Sequence, residues 1–387
     1  MKRFRIDRRM LILAGASALM AGCSVIPKGA EPTTGPVTTP TPEPSSTSLP
    51  TDETRHRIAL LVPLSGSNAA VGQSISNATT MALLDTNADN LRITTYDTAS
   101  GARAAAKQAV ADGNKVILGP LLGNNVGAVL AEARPANVPL ISFSNDTSVA
   151  GADVFVMGQI PEQSIDRTVR YARSRGSNAF AAIIPDGEYG RRAEASLTAS
   201  VRAAGGSIAA IERYDRGNTS IMSAAQRLKA KGGYDTVLIP DGARLAATGA
   251  AELKAGGAAT QLLGTELWSG ESSVASSTSL RGALFSAVSD GRYRRFNDSY
   301  KSRFGSQPYR ISTLGYDAVL LVLNVARDWK VGRVFPVAKL RDSGGFLGLD
   351  GPFRFQRSGV VERSMEVRQV RAGEVVVVDG APAKFSD

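Results

Sequence analysis

Short apolar runs alternate along most of the chain with segments whose apolar residues recur every three or four positions, the pattern of βαβ units feeding a parallel sheet. A first strand is predicted over Ile58-Ala59-Leu60-Leu61-Val62, stopped by Pro63 and a Ser65-Gly66 turn, and a helix follows over 68–85. The unit repeats as a strand over 91–97, a helix over 102–111, the strand Val116-Ile117-Leu118 closed by Gly119-Pro120, a helix over 126–134, and a strand over 138–142. The rhythm then restarts: strand 180–184, helix 190–204, strand 207–214, helix 221–231, strand 236–239, helix 245–255, and strands over 261–264 and 283–288. Two doubly wound α/β halves are the economical reading. Further on, Tyr293, Phe296, Tyr300 and Phe304 recur at helical spacing and predict a buried stripe, with Arg294, Arg295, Lys301 and Arg303 on other, solvated faces.

Ahead of residue 55 the pattern is different. A basic stretch, an apolar run over 10–20 and the small pair Ala21-Gly22 predict a signal peptide over 1–22, too short to span a bilayer. Leu19-Met20-Ala21-Gly22-Cys23 resembles a lipobox, which implies cleavage before Cys23, a lipid on its thiol, and a periplasmic protein held at a membrane. Ser24, where Asp would favour inner-membrane retention, points by the same resemblance to the outer membrane; Arg8-Arg9 also permits twin-arginine export. Residues 24–54 are Pro, Thr, Ser, Gly and Glu with almost no large apolar side chain, so 23–54 is expected to be a lipidated, unstructured tether. Such a segment reaches roughly 30 Å as a coil and up to about 100 Å when extended.

Composition narrows the chemistry. The 387 residues are 43% hydrophobic, enough for a sizeable core, and carry a formal charge of +10. Residues 1–22 contribute +4 of this, leaving +6 on the mature chain, a bias that suits anionic surfaces or simple solubility. Export, not charge, excludes nucleic acid as a partner. With one cysteine, taken by the lipid, no disulfide framework, cysteine nucleophile or zinc cluster is expected. No phosphate-binding Gly-rich loop occurs, and Asp85-x-Asn87-x-Asp89 lacks the Gly and closing Glu of a calcium loop, so neither cofactor nor metal is expected. His56, the single histidine, sits at the end of the tether and is read as solvated, which leaves no base for a Ser-His-Asp arrangement. The chain is read as a non-enzyme.

The segments Val62-Pro63-Leu64-Ser65-Gly66, Ile117-Leu118-Gly119-Pro120, Val138-Pro139-Leu140-Ile141-Ser142 and Asp186-Gly187-Glu188-Tyr189-Gly190 resemble, in order, the landmarks of leucine/isoleucine/valine-type, type I periplasmic binding proteins. The resemblance implies two doubly wound parallel-sheet lobes with a ligand cleft between them and three crossings, near 158–161, 290–293 and 342–345. Lobe I would then comprise 55–159 and 291–341, and lobe II 160–290 and 342–380. The block Pro139-Leu140-Ile141-Ser142-Phe143-Ser144-Asn145-Asp146, the run Ser148-Val149-Ala150-Gly151, and Tyr189-Gly190-Arg191-Arg192 are similar to the penicillin-binding-protein activators, lipoproteins that assist peptidoglycan synthases.

In open α/β sheets ligands sit beyond the carboxyl ends of strands. The candidate cleft residues are therefore Ser65, Gly119, Leu121, Asn124, Ser142, Ser144 and Asn145 on the first lobe, and Tyr189, Asp241, Glu266 and Trp268 on the second. The family resemblance places Glu266, in Gly264-Thr265-Glu266, where amino-acid receptors hold the ligand's ammonium. Capping and turn roles account equally well for the rim Ser, Asn and Asp residues, and core packing for Trp268. Val71 and Asn145-Asp146 depart from the amino-acid receptors, because an acid beside a carboxylate site repels its ligand. The first reading is a regulator of a peptidoglycan synthase, favoured by the tether, the lipid and the departures from the amino-acid receptors; the alternative, favoured by Glu266 and the Ser/Gly rim, is an importer's receptor for an amino acid or similar small anion.

Overall fold

The computed structural model describes residues 53–257, 259–382 and 385. The expected signal peptide, Cys23 and the tether up to residue 52 lie outside the described residues.

The first layer is built from β1 (His56–Val62), α1 (Ala69–Asp85), β2 (Leu91–Asp97), α2 (Ala102–Ala111), β3 (Ile117–Leu118), α3 (Val126–Ala133), β4 (Leu140–Ser142) and β5 (Val154–Val156). Its five strands run parallel in the order β2-β1-β3-β4-β5. Side chains alternate across a strand, so β1 serves two cores at once. Ile58, Leu60 and Val62 pack with Ile75 of α1, while Ala59 and Leu61 face the alanines of α2 and Val126 and Val129 of α3. A strand buried on both faces reads as a continuous apolar run, as β1 does.

After β5 the chain enters a second layer: α4 (Pro161–Ser174), β6 (Ala179–Pro185), α5 (Glu188–Ala203), β7 (Ser207–Tyr214), α6 (Ser220–Lys231), β8 (Thr236–Leu238), α7 (Ala243–Lys254), β9 (Gln261–Leu263), α8 (Ser272–Ser276) and β10 (Leu284–Ala287). The same division holds here. Phe180, Ala182 and Ile184 of β6 pack with α4 and α5, and Ala181 and Ile183 pack with α6 and α7. The sequence analysis contains neither β5, a three-residue strand shorter than periodicity detects, nor α4, although Ile165, Val169 and Ala172 mark one apolar face along its 14 residues.

The chain then forms α9 (Tyr293–Phe304) and α10 (Thr313–Ala326), both against the first layer. Phe296 and Tyr300 of the aromatic stripe are buried with Ala78 and Met81 of α1. The meander β11 (Phe346–Gly348), β12 (Gly351–Phe355), β13 (Val361–Arg363) follows, and then β14 (Glu366–Val370) and β15 (Val375–Asp379). Here the structure departs from the expected lobe assignment. Phe346, Phe353, Phe355 and Val361 join the first core, and Val360 bridges Val156, so the return to the second sheet comes at Glu366 and not near 342–345. The aromatic side chains decide this, since Phe346, Phe353 and Phe355 pack on one another and, through Phe355, on Phe155 in the first core. The second sheet has the order β15-β14-β10-β9-β8-β6-β7, and β14 and β15 are antiparallel additions to its parallel body.

Two glycines repeat one device in the two layers. A Cβ on Gly72 would lie 1.8 Å from the carbonyl oxygen of Pro63, and one on Gly190 would lie 1.7 Å from that of Pro185. Each glycine lets the helix after a strand start directly above the strand's end, which brings both helix starts to the same side as the strand exits.

His56 is a correction to the sequence reading. It is not solvated at the end of a tether: it opens β1 in register with Leu91, is 3% exposed, and stacks on Trp329 with ring centroids 4.0 Å apart. The apolar face of the imidazole is what the sequence reading undervalued.

Candidate functional site

The strand exits of both layers border a cavity of about 380 Å³. From the first layer it receives Val71, Leu121, Leu122, Phe143, Ser144 and Asn145; from the connection between layers Gln159; from the second layer Glu266, Leu267, Ser269 and Glu271; and from the segment before α10 Arg310 and Ile311. A larger groove of about 580 Å³ lies beside α10 at Leu320, Leu321 and Phe346, but it is away from the strand exits.

Four of the residues proposed from sequence meet in this cavity: Leu121, Ser144, Asn145 and Glu266. Glu266 follows β9 at the start of a short 3-10 turn and is 6% exposed. Its Oε1 accepts a hydrogen bond from Tyr189 Oη at 3.1 Å, and Tyr189 Oη also lies 2.9 Å from Thr265 Oγ1. Glu266 Oε2 is buried and has no hydrogen-bond partner among the described residues. Burial pushes the Glu266 carboxyl up to about 7, against a partial counter-effect of hydrogen bonding from Tyr189. Burial and the neighbouring carboxylate raise the Tyr189 phenol as well. Tyr189 is therefore a support for Glu266, reaching it without lining the cavity.

The remaining sequence candidates stand elsewhere. Ser65 is exposed, its Oγ donating to Asp97 Oδ2 at 2.8 Å. Gly119 is buried in the turn after β3, where its N–H donates to Ile141 O at 2.7 Å, and Asn124 is exposed on the following 3-10 turn. Ser142 is fully buried; its Oγ donates to Pro120 O at 3.0 Å and accepts from Ser144 N at 3.2 Å, which commits its one proton within the protein. Asp241 is occupied by Tyr214 Oη, by Arg216 Nε at 2.8 Å and by Gly242 N at 2.7 Å. Trp268 is a core residue, 1% exposed, with Nε1 donating to Asp241 O at 2.9 Å and its ring against Phe285. Ser144 Oγ, by contrast, accepts from Asp146 N at 3.0 Å and donates to no acceptor among the described residues, so its hydroxyl proton is open to a ligand in the cavity it lines.

Two further residues were not found from sequence. Gln159 Nε2 is buried without a hydrogen-bond partner among the described residues, as are Arg310 Nε and Nη2. Gln159 had a signal, since it lies in the predicted crossing 158–161 and crossings border a cleft. Arg310 had none: Gln307-Pro308-Tyr309-Arg310 has no periodicity, and its place depends on the packing of α10. Buried polar atoms are nearly always partnered, so three residues with unsatisfied atoms around one cavity mark a place shaped for something else. The cleft thus presents two acids, Glu266 and Glu271, the cation Arg310, and amide and hydroxyl side chains around an apolar floor of Val71, Leu121, Phe143 and Ile311.

The rim is tied across the cleft by Arg192 of α5. Its Nε and Nη2 hold Glu162 at 2.7 and 2.8 Å, and Nη2 donates to the carbonyl of Asn145 at 2.8 Å. No group of three or more metal-binding side chains occurs among the described residues, and no described helix is long and apolar enough to cross a membrane.

Comparison with known proteins gives one family and many folds alike. The family described as periplasmic binding protein matches residues 56–374. An uncharacterized protein of Rickettsia prowazekii (strain Madrid E) is 31% identical over 134 residues, 34% of this chain and 36% of that relative, so the match spans about a third of the curated protein's length. Among solved structures, a branched chain amino acid transporter periplasmic ligand-binding protein from Burkholderia xenovorans LB400 has a TM-score of 0.69 at 17% identity, covering 84% of this chain and 96% of its own. A solute binding protein from Rhodopseudomonas palustris BisB5 in complex with 3,4-dihydroxybenzoic acid has a TM-score of 0.66 at 20% identity, covering 86% and 98%. The branched-chain amino acid transporter substrate binding protein of Streptococcus pneumoniae, in complex with isoleucine, has a TM-score of 0.63 at 20% identity, covering 85% and 100%. These TM-scores establish a shared fold.

Proposed function

Because this chain belongs to the periplasmic binding protein family, we propose that it is a non-catalytic receptor of the cell envelope whose two lobes enclose a small solute, of the kind an importer for branched amino acids receives. The carrying observation is Glu266 Oε2, buried, without a partner among the described residues, in a cavity between the strand exits. A carboxylate in that position costs stability unless a ligand's ammonium or other donor meets it, and a charge-assisted hydrogen bond there is about twice as strong as a neutral one. Val71, Leu121, Phe143 and Ile311 supply the apolar wall an aliphatic or aromatic side chain needs. The solved relatives that bind isoleucine and 3,4-dihydroxybenzoic acid support a ligand of that size. In this reading Cys23 carries a lipid and the tether lets the receptor work away from its membrane. The test is calorimetric titration with free amino acids, in which Glu266→Gln weakens binding of an amino-bearing ligand about tenfold or more.

A second reading is favoured by one contact. Arg192 Nη2 donates to Asn145 O at 2.8 Å, so two of the three sequence segments that resemble the penicillin-binding-protein activators meet at the cleft rim. On this reading the rim is a docking face for a peptidoglycan synthase and the lipid holds the chain in the outer membrane. Pull-down of a synthase that is lost in Arg192→Ala, together with no solute binding, selects it over the first.

A further inference from the structure

The guanidinium of Arg310 is clamped and yet incompletely used. Its Nη1 donates to Asp350 Oδ1 at 2.7 Å and to Thr313 Oγ1 at 3.2 Å, and Asp350 is fully buried. Its Cζ lies over the ring of Tyr293, 4.2 Å from the ring centroid. A guanidinium stacked and paired in this way keeps one orientation. The other edge, Nε and Nη2, is buried without a hydrogen-bond partner among the described residues. Asp290 Oδ1 stands 3.6 Å from Nη2, beyond hydrogen-bond reach, and the second oxygen of Asp290 is taken by Arg368 Nη1. Two parallel N–H groups on one edge match the two oxygens of a carboxylate. Of the first lobe's two candidate hydroxyls, Ser142 is spent on Pro120 and Ser144 is a single neutral donor, so Arg310 is the cationic donor on the cavity.

We propose that the Nε–Nη2 edge of Arg310 is the anion subsite of the cleft, and that the solute it selects carries a carboxylate. The inference rests on the reading of the cleft as a solute site and names the solute's class. With Glu266 on the same cavity, a small zwitterion is held by both ends, its acid toward Arg310 and its amine toward Glu266. The same edge rejects a neutral amide, whose NH₂ meets two N–H donors and leaves one of them unsatisfied.

The full chain is titrated calorimetrically with matched sets: leucine, isoleucine, valine, phenylalanine and glutamate, their α-amides, and the corresponding deaminated acids with benzoate. The expected result is binding of at least one carboxylate, an amide weaker by about tenfold or more, and a similar loss in Arg310→Gln that spares the amide's residual affinity. Should Arg310→Gln fail to fold, the acid-against-amide comparison on the unaltered protein decides alone. An amide that binds as well as its acid overturns the Arg310 assignment and leaves the solute reading standing. No binding by any compound overturns both.

Discussion

Tyr189 donates to one oxygen of Glu266 at 3.1 Å and leaves the other buried without a partner among the described residues, a half-satisfied acid at the centre of the cleft. Burial raises this carboxyl to about 7, so the folded protein holds a proton that the unfolded chain has released. The contribution is favourable at acid pH and is lost as pH rises from the ordinary carboxyl value through about 7. Glu266→Gln is expected to stabilise the ligand-free protein by about 1–3 kcal/mol at pH 8 and hardly at all at pH 4. Urea unfolding of the two proteins at both pH values checks this.

The same carboxyl makes binding depend on pH. A ligand ammonium needs Glu266 charged, and with its titration near 7 the affinity for an amino-bearing solute should be about tenfold higher at pH 8 than at pH 6. Titrations at the two pH values read the ratio. Glu266→Gln should remove the dependence along with most of the affinity.

His56 and Trp329 stack with their planes 19° from parallel, closing the amino-terminal end of β1. Burial lowers the imidazole from its usual 6.5, so the folded protein binds a proton less readily than the unfolded chain. Stability is therefore lost as pH falls below about 6.5. His56→Gln should flatten that part of the pH profile, and Trp329→Ala should cost about 3–5 kcal/mol at any pH, both measured by thermal unfolding.

Asp317 and Asp350 flank Arg363, whose Nη1 lies 3.9 Å from an oxygen of each, all fully buried side chains. Burial and the charge on Asp350 raise Asp317 to about 7, whereas Arg310 and Arg363 hold Asp350 below the usual carboxylate range despite its burial. The pair divides its roles accordingly. Asp317→Asn keeps an acceptor for Leu349 N and should change stability by less than about 1 kcal/mol at pH 7. Asp350→Asn removes the acid hydrogen-bonded to Arg310 and one of the two beside Arg363, and should cost about 3–5 kcal/mol, by denaturant unfolding.

What the sequence made legible follows from what local patterning records. β1 and β6 were readable because both of their faces are buried, so each is an unbroken apolar run between turn residues. The strand exits named Leu121, Ser144, Asn145 and Glu266 because a strand end fixes where the next few residues point. Ser142 and Asp241 were named by the same rule and proved to be spent on Pro120 and on Arg216, a difference that lies in hydrogen bonds between distant residues. Arg310 was invisible for the same reason: its free edge exists only because Asp350, forty positions away, holds the opposite one. The meander that carries Phe353 and Phe355 was placed in the wrong lobe, since the phenylalanines do not state in sequence which core they enter.

The central claim is that the cleft around Glu266 binds a small solute, and thermal unfolding of the full chain against amino acids, peptidoglycan fragments and small anions tests it most directly. A ligand at a hundred times its dissociation constant stabilises the folded state by about 2.7 kcal/mol, roughly 4 °C for a chain of this size. The account predicts such a shift with at least one amino acid or small acid, reduced in Glu266→Gln. The absence of a shift with every compound, or an equal shift in Glu266→Gln for an amino-bearing one, would contradict it.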